Sequence, residues 1–287
     1  MKGVLIAAFG GAKEEGEVPS FLRSLRGEEP PPWLISSLEQ KYRLIGGSPL
    51  FAILERIVEG LRRRLKGVQL TYGVLHGAPS LEEAIEELEG RGVFEVLLFP
   101  LSPYRSPYTT EAIYDRVHRR LEELAIMSRR PNPWFDHPEY VRLWVTRIKE
   151  EISSFGRAPL VFSAHSLPPE VSSPYREDVE ATVRGVLDQL PRLPWRLAFQ
   201  SGREGWLGPG PKEVLQELKG KGAERAIVVP IGFLCDHLET LYDLDLELRG
   251  WAEVELEMEL GRVSCLNASE DFITFLAKRI LEGFRAS

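Results

Sequence analysis

Short runs of apolar residues alternate with longer amphipathic segments along most of the chain. The apolar runs are rich in Val, Ile, Leu and Phe and are bounded by Gly and Pro, which is typical of buried parallel strands. They predict strands near residues 3–9, 69–75, 94–101, 124–128, 159–164, 195–200, 225–231 and 253–258. The amphipathic segments predict helices near residues 49–65, 80–89, 109–124, 138–154, 175–189, 211–219, 236–248 and 268–284. This alternation predicts an α/β protein with parallel sheets.

An internal repeat divides the predicted elements into two halves. Six residues recur at constant spacing: Glu83, Glu87, Leu88, Gly90, Gly92 and Pro100 match Glu213, Glu217, Leu218, Gly220, Gly222 and Pro230. Each copy contains a helix, a stop that bears glycine, a strand and a proline at the end of the strand. The repeat therefore predicts two similar four-stranded α/β halves, and the proline-rich stretch 131–134 marks their boundary.

Composition and charge exclude several classes of function. The formal net charge of −7 argues against nucleic acid as a partner, which requires a concentrated basic surface. The chain has two cysteines and no C-x-x-C, so a cysteine-based zinc finger or a four-thiolate cluster is excluded and a reducing compartment is favoured. No apolar stretch is long enough to span a bilayer, and the N-terminus lacks a secretory signal. These features predict a cytoplasmic protein.

His165 is the first candidate for chemistry. It follows the predicted strand 159–164, and ligands of open parallel sheets bind at the carboxyl ends of strands. A histidine that caps a helix or is hydrogen-bonded in the core is an equally good interpretation of this residue alone. The neighbouring Ser166 lacks the G-x-S-x-G motif of a hydrolase nucleophile.

A row of carboxylates is the second candidate. Glu239, Asp243 and Glu247 are spaced four residues apart and share one face of the predicted helix 236–248. A solvated acidic surface is the alternative interpretation. The row nevertheless begins beside His237 at a strand end, and a series of carboxylates that leads to a histidine suits a divalent cation in transit. The opposite face is predicted to pack in the core through Leu238, Leu241, Tyr242 and Leu246.

Aromatic residues near these strand ends favour an apolar cleft. Phe9, Tyr104 and Trp206 each fit a core position, but together they could line a wall for a flat aromatic ligand. Glycine-rich phosphate-binding loops are absent from the sequence, so nucleotide chemistry is disfavoured.

Four motifs in this order resemble the ferrochelatase family over nearly the whole chain. They are Ile45-Gly46-Gly47-Ser48-Pro49-Leu50, Phe162-Ser163-Ala164-His165-Ser166-Leu167-Pro168, Gln200-Ser201 with Trp206-Leu207-Gly208-Pro209, and Asp236-His237-Leu238-Glu239-Thr240-Leu241-Tyr242. The resemblance implies a lyase that inserts Fe²⁺ into a porphyrin during haem biosynthesis. It also implies two Rossmann-like, chelatase-type halves that enclose a porphyrin cleft.

The resemblance assigns roles to matching residues. His165 resembles the active-site histidine that is a metal ligand and accepts a pyrrole proton, and Glu239 resembles the carboxylate opposite it. Asp243 and Glu247 resemble an acidic row that conducts metal, and His237 resembles a residue that supports the glutamate.

The resemblance also divides the chain. Residues 1–132 would form an N-terminal domain whose segment 26–50 is the lip of the cleft. Residues 133–267 would carry the catalytic histidine and the acidic helix, and residues 268–287 would form a C-terminal helix that packs back across the protein. The substrate cleft would include Phe9, Ser48, Tyr104, Trp206 and His237.

Two departures from the family pattern affect the expected chemistry. Phe9 stands where some bacterial members that act on coproporphyrin III have a tyrosine able to ligate iron. The chain also lacks the C-terminal extension and cysteines that hold an iron–sulfur cluster in animal members. We therefore expect no required cofactor, with Fe²⁺ and a porphyrin as substrates.

Two alternatives to a ferrochelatase stay open at this point. One is a chelatase for another metal or tetrapyrrole, such as cobalt, and the other is a non-catalytic carrier of metal or tetrapyrrole. The choice between protoporphyrin IX and coproporphyrin III is open too, as is contact with a membrane surface or with another enzyme of haem synthesis.

Overall fold

The structure is a computed structural model that describes residues 1–285. It divides into two compact units. The first unit contains Met1–Pro133 together with the described residues from Asn267 onward, and the second contains Trp134–Leu266.

The first unit is built on a four-stranded parallel sheet with strand order β2-β1-β3-β4. Its strands are β1 (Lys2–Gly10), β2 (Val68–His76), β3 (Glu95–Pro100) and β4 (Met127–Arg129). Its helices are α1 (Val18–Arg26), α2 (Pro32–Leu44), α3 (Leu50–Arg64), α4 (Leu81–Gly90), α5 (Thr110–Glu123) and α10 (Glu270–Gly283). The central strand β1 is buried on both faces, which explains its uninterrupted apolar run.

The second unit repeats this plan with strand order β6-β5-β7-β8, again all parallel. Its strands are β5 (Leu160–His165), β6 (Trp195–Gln200), β7 (Arg225–Val229) and β8 (Glu259–Arg262). Its helices are α6 (Pro138–Phe155), α7 (Ser173–Leu187), α8 (Pro211–Gly220), a π-helix (Glu239–Leu248) and α9 (Arg249–Leu256). The prediction of two four-stranded parallel α/β halves is confirmed.

The starts and stops of helices α4 and α8 share structural details at equivalent positions of the internal repeat. The Ser80 backbone N–H donates to Glu83 at the start of α4, and the Gly210 N–H donates to Glu213 at the start of α8. The stops after these helices match as well, because Gly92 and Gly222 both have a positive φ that favours glycine. The recurring glutamates and glycines therefore mark equivalent helix starts and stops.

One predicted element in the second unit is wrong, and another differs in its winding. Residues 253–256 belong to α9, and the strand follows at Glu259–Arg262. The alternation of Val254, Leu256 and Met258 with glutamates imitated a half-buried strand, although Val254 is exposed in the helix. The predicted helix over residues 236–248 is present, but it is wound as the π-helix Glu239–Leu248 and lacks the α-helical spacing assumed for its faces.

The segment 26–50 contains helix α2, which the sequence pattern did not predict. Trp33, in the first turn of α2, is 70% exposed, and Leu44 at its end is exposed as well. The separation of apolar and polar faces is weak in α2, because apolar residues also occupy the face that is exposed to solvent. Trp33 and Leu44 therefore leave apolar surface exposed in the segment that the resemblance assigns to the lip of the cleft.

Helix α10 returns to the first unit and packs closely there. A Cβ atom added to Gly60 of α3 would lie 2.7 Å from Ile273 of α10, and one added to Gly283 would lie 3.0 Å from Leu97 of β3. Within residues 1–285, none of the helices has the length and apolar character needed to cross a membrane.

Gly73 should be intolerant of a side chain because α4 begins directly over it. A Cβ atom at this position in β2 would lie 2.7 Å from the carbonyl oxygen of Ser80 and 3.0 Å from the Cα atom of Leu81. We expect Gly73→Ala to lower the free energy of unfolding by about 1–3 kcal/mol, the usual cost of overpacking, measured by urea denaturation.

Gly90→Ala is the matched control, since nothing lies within 4 Å of a Cβ atom at this last residue of α4. It should be neutral or stabilise the protein by up to about 1 kcal/mol through helix propensity. A Gly73→Ala variant as stable as the control would contradict the close approach of α4 to β2.

Candidate active site

His165 is the last residue of β5, the strand between β6 and β7. Its backbone N–H donates to the Tyr175 hydroxyl at 3.1 Å, which ties the strand end to α7. The loop after β7 also presses on this end, because a Cβ atom at Gly232 would lie 2.6 Å from the Cα atom of Ala164. The histidine therefore lies at the carboxyl end of a buried strand with its backbone held on two sides.

A hydrogen bond to the main chain determines the tautomer of His165. Its Nδ1 atom lies 2.6 Å from the carbonyl oxygen of Ser166. A carbonyl oxygen can only accept, so Nδ1 must donate, and in the neutral ring Nε2 then carries the lone pair. The outward nitrogen is consequently available to accept a proton or bind a metal ion.

Glu239 faces this lone pair. Its Oε2 atom lies 3.8 Å from Nε2 of His165, and the side chains are 30% and 37% exposed, respectively. This separation is longer than a hydrogen bond. The pair is half-buried and has opposite charges whenever the histidine is protonated.

Two neighbouring residues at the end of β6 hold Glu239 in place. Gln200 is buried, accepts from the Ser163 hydroxyl at 2.6 Å and donates to the carbonyl oxygen of Glu239 at 3.1 Å. The Ser201 hydroxyl donates to Oε2 of Glu239 at 3.3 Å, from a backbone with φ 59°. Left-handed backbone is uncommon outside glycine and is often found at functional sites. The sequence motif included both residues, but nothing in it indicated these contacts.

His237 has the opposite tautomer to His165. Its Nδ1 atom accepts from the backbone N–H of Glu239 at 3.0 Å, so the proton of the neutral ring is on Nε2. Burial lowers the pKa of His237, although the negative charges of Glu239 and Asp236 act to raise it. The net lowering favours the neutral ring. The ring also meets Phe233 edge to face at 5.0 Å. His237 thus supports the first turn of the segment that carries Glu239.

The acidic row follows the π-helix outward. Glu239 and Asp243 are partly buried and Glu247 is exposed, so the row leads from the candidate site towards solvent. At its outer end, the ammonium group of Lys212 lies 3.4 Å from Oε1 of Glu247.

The predicted core face of this helix is wrong. Leu246 is exposed, and the buried residues are Thr240, Leu244 and Leu248. The π-helix bonds residues i and i+5, so the α-helical period places its faces incorrectly.

No preformed metal cage accompanies the pair. Among residues 1–285, no group of three or more His, Cys, Asp or Glu side chains is arranged to hold a metal ion. The arrangement offers one nitrogen and one oxygen at the site, with further carboxylates along the helix.

The remaining predicted site residues are distributed over both units. In the first unit, Phe9 is partly buried against the His76 ring, with ring centres 5.0 Å apart, and the Ser48 hydroxyl accepts from the Leu50 N–H at 3.3 Å. Tyr104 is almost fully buried. In the second unit, Trp206 lies beside the Arg203 guanidinium in a loop that is tied to the histidine segment, because the Ser166 hydroxyl donates to the carbonyl oxygen of Leu207.

Solved structures of chelatases share this fold. SirB from Bacillus subtilis with Fe³⁺ superposes with a TM-score of 0.65 at 13% identity and covers 99% of this chain and 95% of its own. CbiX, described as the terminal enzyme of sirohaem biosynthesis in denitrifying bacteria, gives a TM-score of 0.57 at 16% identity, with 98% of both chains covered. The architecture is that of the two-domain α/β chelatases.

Sequence relatives identify the family within this class. The ferrochelatase family model matches residues 1–283. A ferrochelatase of Aquifex aeolicus is 32% identical over 96% of this chain and 97% of its own, and one of Herpetosiphon aurantiacus is 30% identical over 98% of both. A coproporphyrin III ferrochelatase of Bacillus subtilis is 29% identical over 98% and 97%. The chain belongs to the ferrochelatase family, lyases that insert Fe²⁺ into a porphyrin in haem synthesis, with iron and porphyrin as substrates.

The tautomer of His165 can be measured directly. In mildly alkaline solution, where ordinary histidines are neutral, we expect the ¹⁵N signals of His165 to show a protonated Nδ1 and an unprotonated Nε2. His237 should show the reverse pattern, and His165→Ala and His237→Ala would assign the two sets of signals. The same tautomer at both positions would contradict the main-chain contacts of one of them.

Proposed function

We propose that His165 and Glu239 carry the metal insertion, as the two protein groups that meet the reacting iron. The distance of 3.8 Å between Nε2 and Oε2 supports this assignment. Nitrogen and oxygen ligands bind a divalent ion such as zinc at about 2.0–2.2 Å, so two ligands of one ion lie at most about 4.4 Å apart. A single ion could thus contact both atoms with little movement of either side chain.

The reaction must also remove two protons from the porphyrin. Insertion breaks two pyrrole N–H bonds, releases two protons and gives the ring the two negative charges that balance Fe²⁺. The lone pair on Nε2 of His165 can accept such a proton, and the facing carboxylate of Glu239 stabilises the imidazolium that results. We propose that the protons leave the site through the same carboxylate and the acidic row beyond it.

The π-helix supplies a route for the metal in this proposal. Its carboxylates become more exposed from Glu239 to Glu247, and oxygen ligands can replace the waters of a hydrated divalent cation stepwise. Asp243 lies between them in the row. The metal would bind oxygen atoms first and the nitrogen of His165 last.

The choice of porphyrin is a separate question within this proposal. Relatives of nearly equal identity are named ferrochelatase or coproporphyrin III ferrochelatase, so the names favour neither ring. Phe9 has no oxygen that could ligate iron. We propose a porphyrin with propionate groups as the substrate class, bound with help from Phe9, Ser48, Tyr104 and Trp206.

We expect the reaction to need no bound cofactor. Burial raises the pKa of Cys235 to about 12, and it raises the pKa of Cys265 as well, so both thiols stay protonated and are poor metal ligands. The cytoplasmic location stays a prediction. Contact with a membrane surface or a neighbouring enzyme of haem synthesis would be made most readily through exposed Trp33 and Leu44.

Anaerobic Fe²⁺ insertion, followed by absorbance, tests the assignment. We expect wild-type protein to turn over protoporphyrin IX or coproporphyrin III, compared side by side, and His165→Ala to lose at least about 10²-fold in kcat, as general-base catalysis requires. His118→Ala, a histidine of α5 in the first unit, is the control and should retain wild-type activity. A folded His165→Ala variant with nearly wild-type turnover would refute the role of His165.

Lys212 provides a test of the metal route. Its ammonium group pairs with Glu247 and so competes with an arriving cation. Because exposed ion pairs contribute about 0.2–1 kcal/mol, Lys212→Met should lower the KM for Fe²⁺ by up to about fivefold, with kcat unchanged.

Lys219→Met is the matched control for this measurement. Lys219 lies on the same helix, α8, but contacts the carbonyl oxygen of Glu257 instead of the acidic row. An equal decrease in the KM for Fe²⁺ in both variants would show a general effect of net charge and would count against the route.

A further inference from the structure

Arg262, the last residue of β8, bridges two aspartates that the catalytic assignment does not use. Its Nε atom donates to Oδ1 of Asp245 at 2.7 Å, and its Nη1 atom donates to Oδ1 of Asp236 at 3.0 Å. The three side chains are only 12%, 19% and 14% exposed, in the order Arg262, Asp245 and Asp236. Ion pairs this deeply buried differ from surface pairs, because removing one partner leaves a desolvated charge.

Other groups around the bridge keep it charged. Burial alone would lower the pKa of Arg262, but the hydrogen bond to Asp245 and the charges of both aspartates outweigh burial and raise it. Arg249 also donates to Asp245, at 3.3 Å, and the carboxyl group of Glu151 faces Arg249 and Arg262. The thiol of Cys265 contacts Asp236.

The two aspartates lie on either side of Glu239 in the chain. Asp236 accepts from the Thr240 hydroxyl at 3.1 Å, and that hydroxyl accepts from the His237 N–H at 3.0 Å, so Asp236 orders the first turn. Asp245 lies farther along, within the π-helix. A single guanidinium group therefore fixes both the entry to the helix and its body.

We infer that Arg262 is a positioning residue for metal insertion, which holds Glu239 opposite His165 by clamping Asp236 and Asp245 to the end of β8. The inference rests on the proposed role of Glu239. Arg262 acts through this segment and is not itself one of the groups assigned to meet the iron. From the end of β6, Gln200 holds the main-chain carbonyl group of Glu239 and Ser201 holds its carboxylate.

Clamping of this kind should affect turnover more than substrate binding. A displacement of about 1 Å in a reacting group can cost about 10²-fold in rate. A lysine at position 262 keeps the positive charge but has a single nitrogen in place of the planar fork, so it can hold one aspartate well and the other poorly. Residue 262 would then hold the segment firmly through only one of the two aspartates.

The test compares Arg262→Lys with wild type in the anaerobic insertion assay. We expect kcat to fall by about ten- to a hundredfold, while the KM for porphyrin changes by less than about twofold, since the binding surface is unaltered. Peptide-level hydrogen exchange, measured without substrate, should show faster exchange over residues 236–248. Asp245→Asn, which preserves side-chain volume, replaces Arg262→Lys in this test if Arg262→Lys fails to fold. We expect it to lower kcat by a smaller factor than the roughly ten- to hundredfold expected for Arg262→Lys.

Arg279→Lys is the control for loss of a buried arginine. Arg279 of α10 is 8% exposed, against 12% for Arg262, and it pairs with Glu282 and donates to the carbonyl oxygen of Asn132, all within the first unit. Both of these partners lie outside the segment 236–248, so Arg279→Lys should lower thermal stability and leave kcat within about twofold of wild type.

The outcomes separate this inference from the proposed function. An active wild type with unchanged kcat and unchanged exchange in Arg262→Lys would overturn the clamp and leave the function intact. Equal decreases in kcat for Arg262→Lys and Arg279→Lys would also overturn it, because they would indicate a general loss of stability. If wild type inserted no iron, the proposed function would fail, and hydrogen exchange would still decide whether Arg262 orders the segment.

Discussion

Parallel pairing of β5 with β6 and β7 is the constraint on which the site depends. Because all three strands run in the same direction, their carboxyl ends lie at one edge of the sheet. His165 and Gln200 are register partners at the ends of β5 and β6, and the loop after β7 packs on Ala164. The π-helix that carries Glu239 starts beyond that loop. His165, the Gln200 amide that binds the main chain of Glu239, and the Glu239 carboxylate are thereby brought together at one edge of the sheet.

His165 and His237 show how main-chain contacts give two identical side chains different chemical roles. His165 donates through Nδ1 to a carbonyl oxygen, so its other nitrogen can accept. His237 accepts through Nδ1 from the N–H of Glu239, so its other nitrogen can only donate while the ring is neutral. One ring is therefore suited to take a proton or bind a metal, and the other is suited to cap a helix. This difference originates in the backbone and is absent from the residue types.

The sequence predicted those parts of the molecule that follow from local pattern. Apolar runs predicted the strands that carry His165 and Gln200, and the spacing of Glu239, Asp243 and Glu247 predicted a helix with an acidic row. The winding of that helix was missed, since the α-helical and π-helical forms share nearly the same composition. Contacts of Ser201 and Arg262 were missed as well, because they join residues far apart in the chain. In residues 253–258, glutamates alternating with apolar residues imitated a strand.

The winding of the π-helix depends on the number of residues in its segment as well as on their identity. Each turn contains more backbone than an α-helical turn, so deleting a single residue between Glu239 and Leu248 could yield a regular α-helix with a more common geometry. Glu239 and Glu247 would then be seven residues apart, a spacing that still places both side chains on one face of an α-helix. The wider winding therefore amounts to an α-helix that holds one extra residue, and the gain or loss of one codon in this segment would exchange the two forms while keeping both ends of the acidic row on one face.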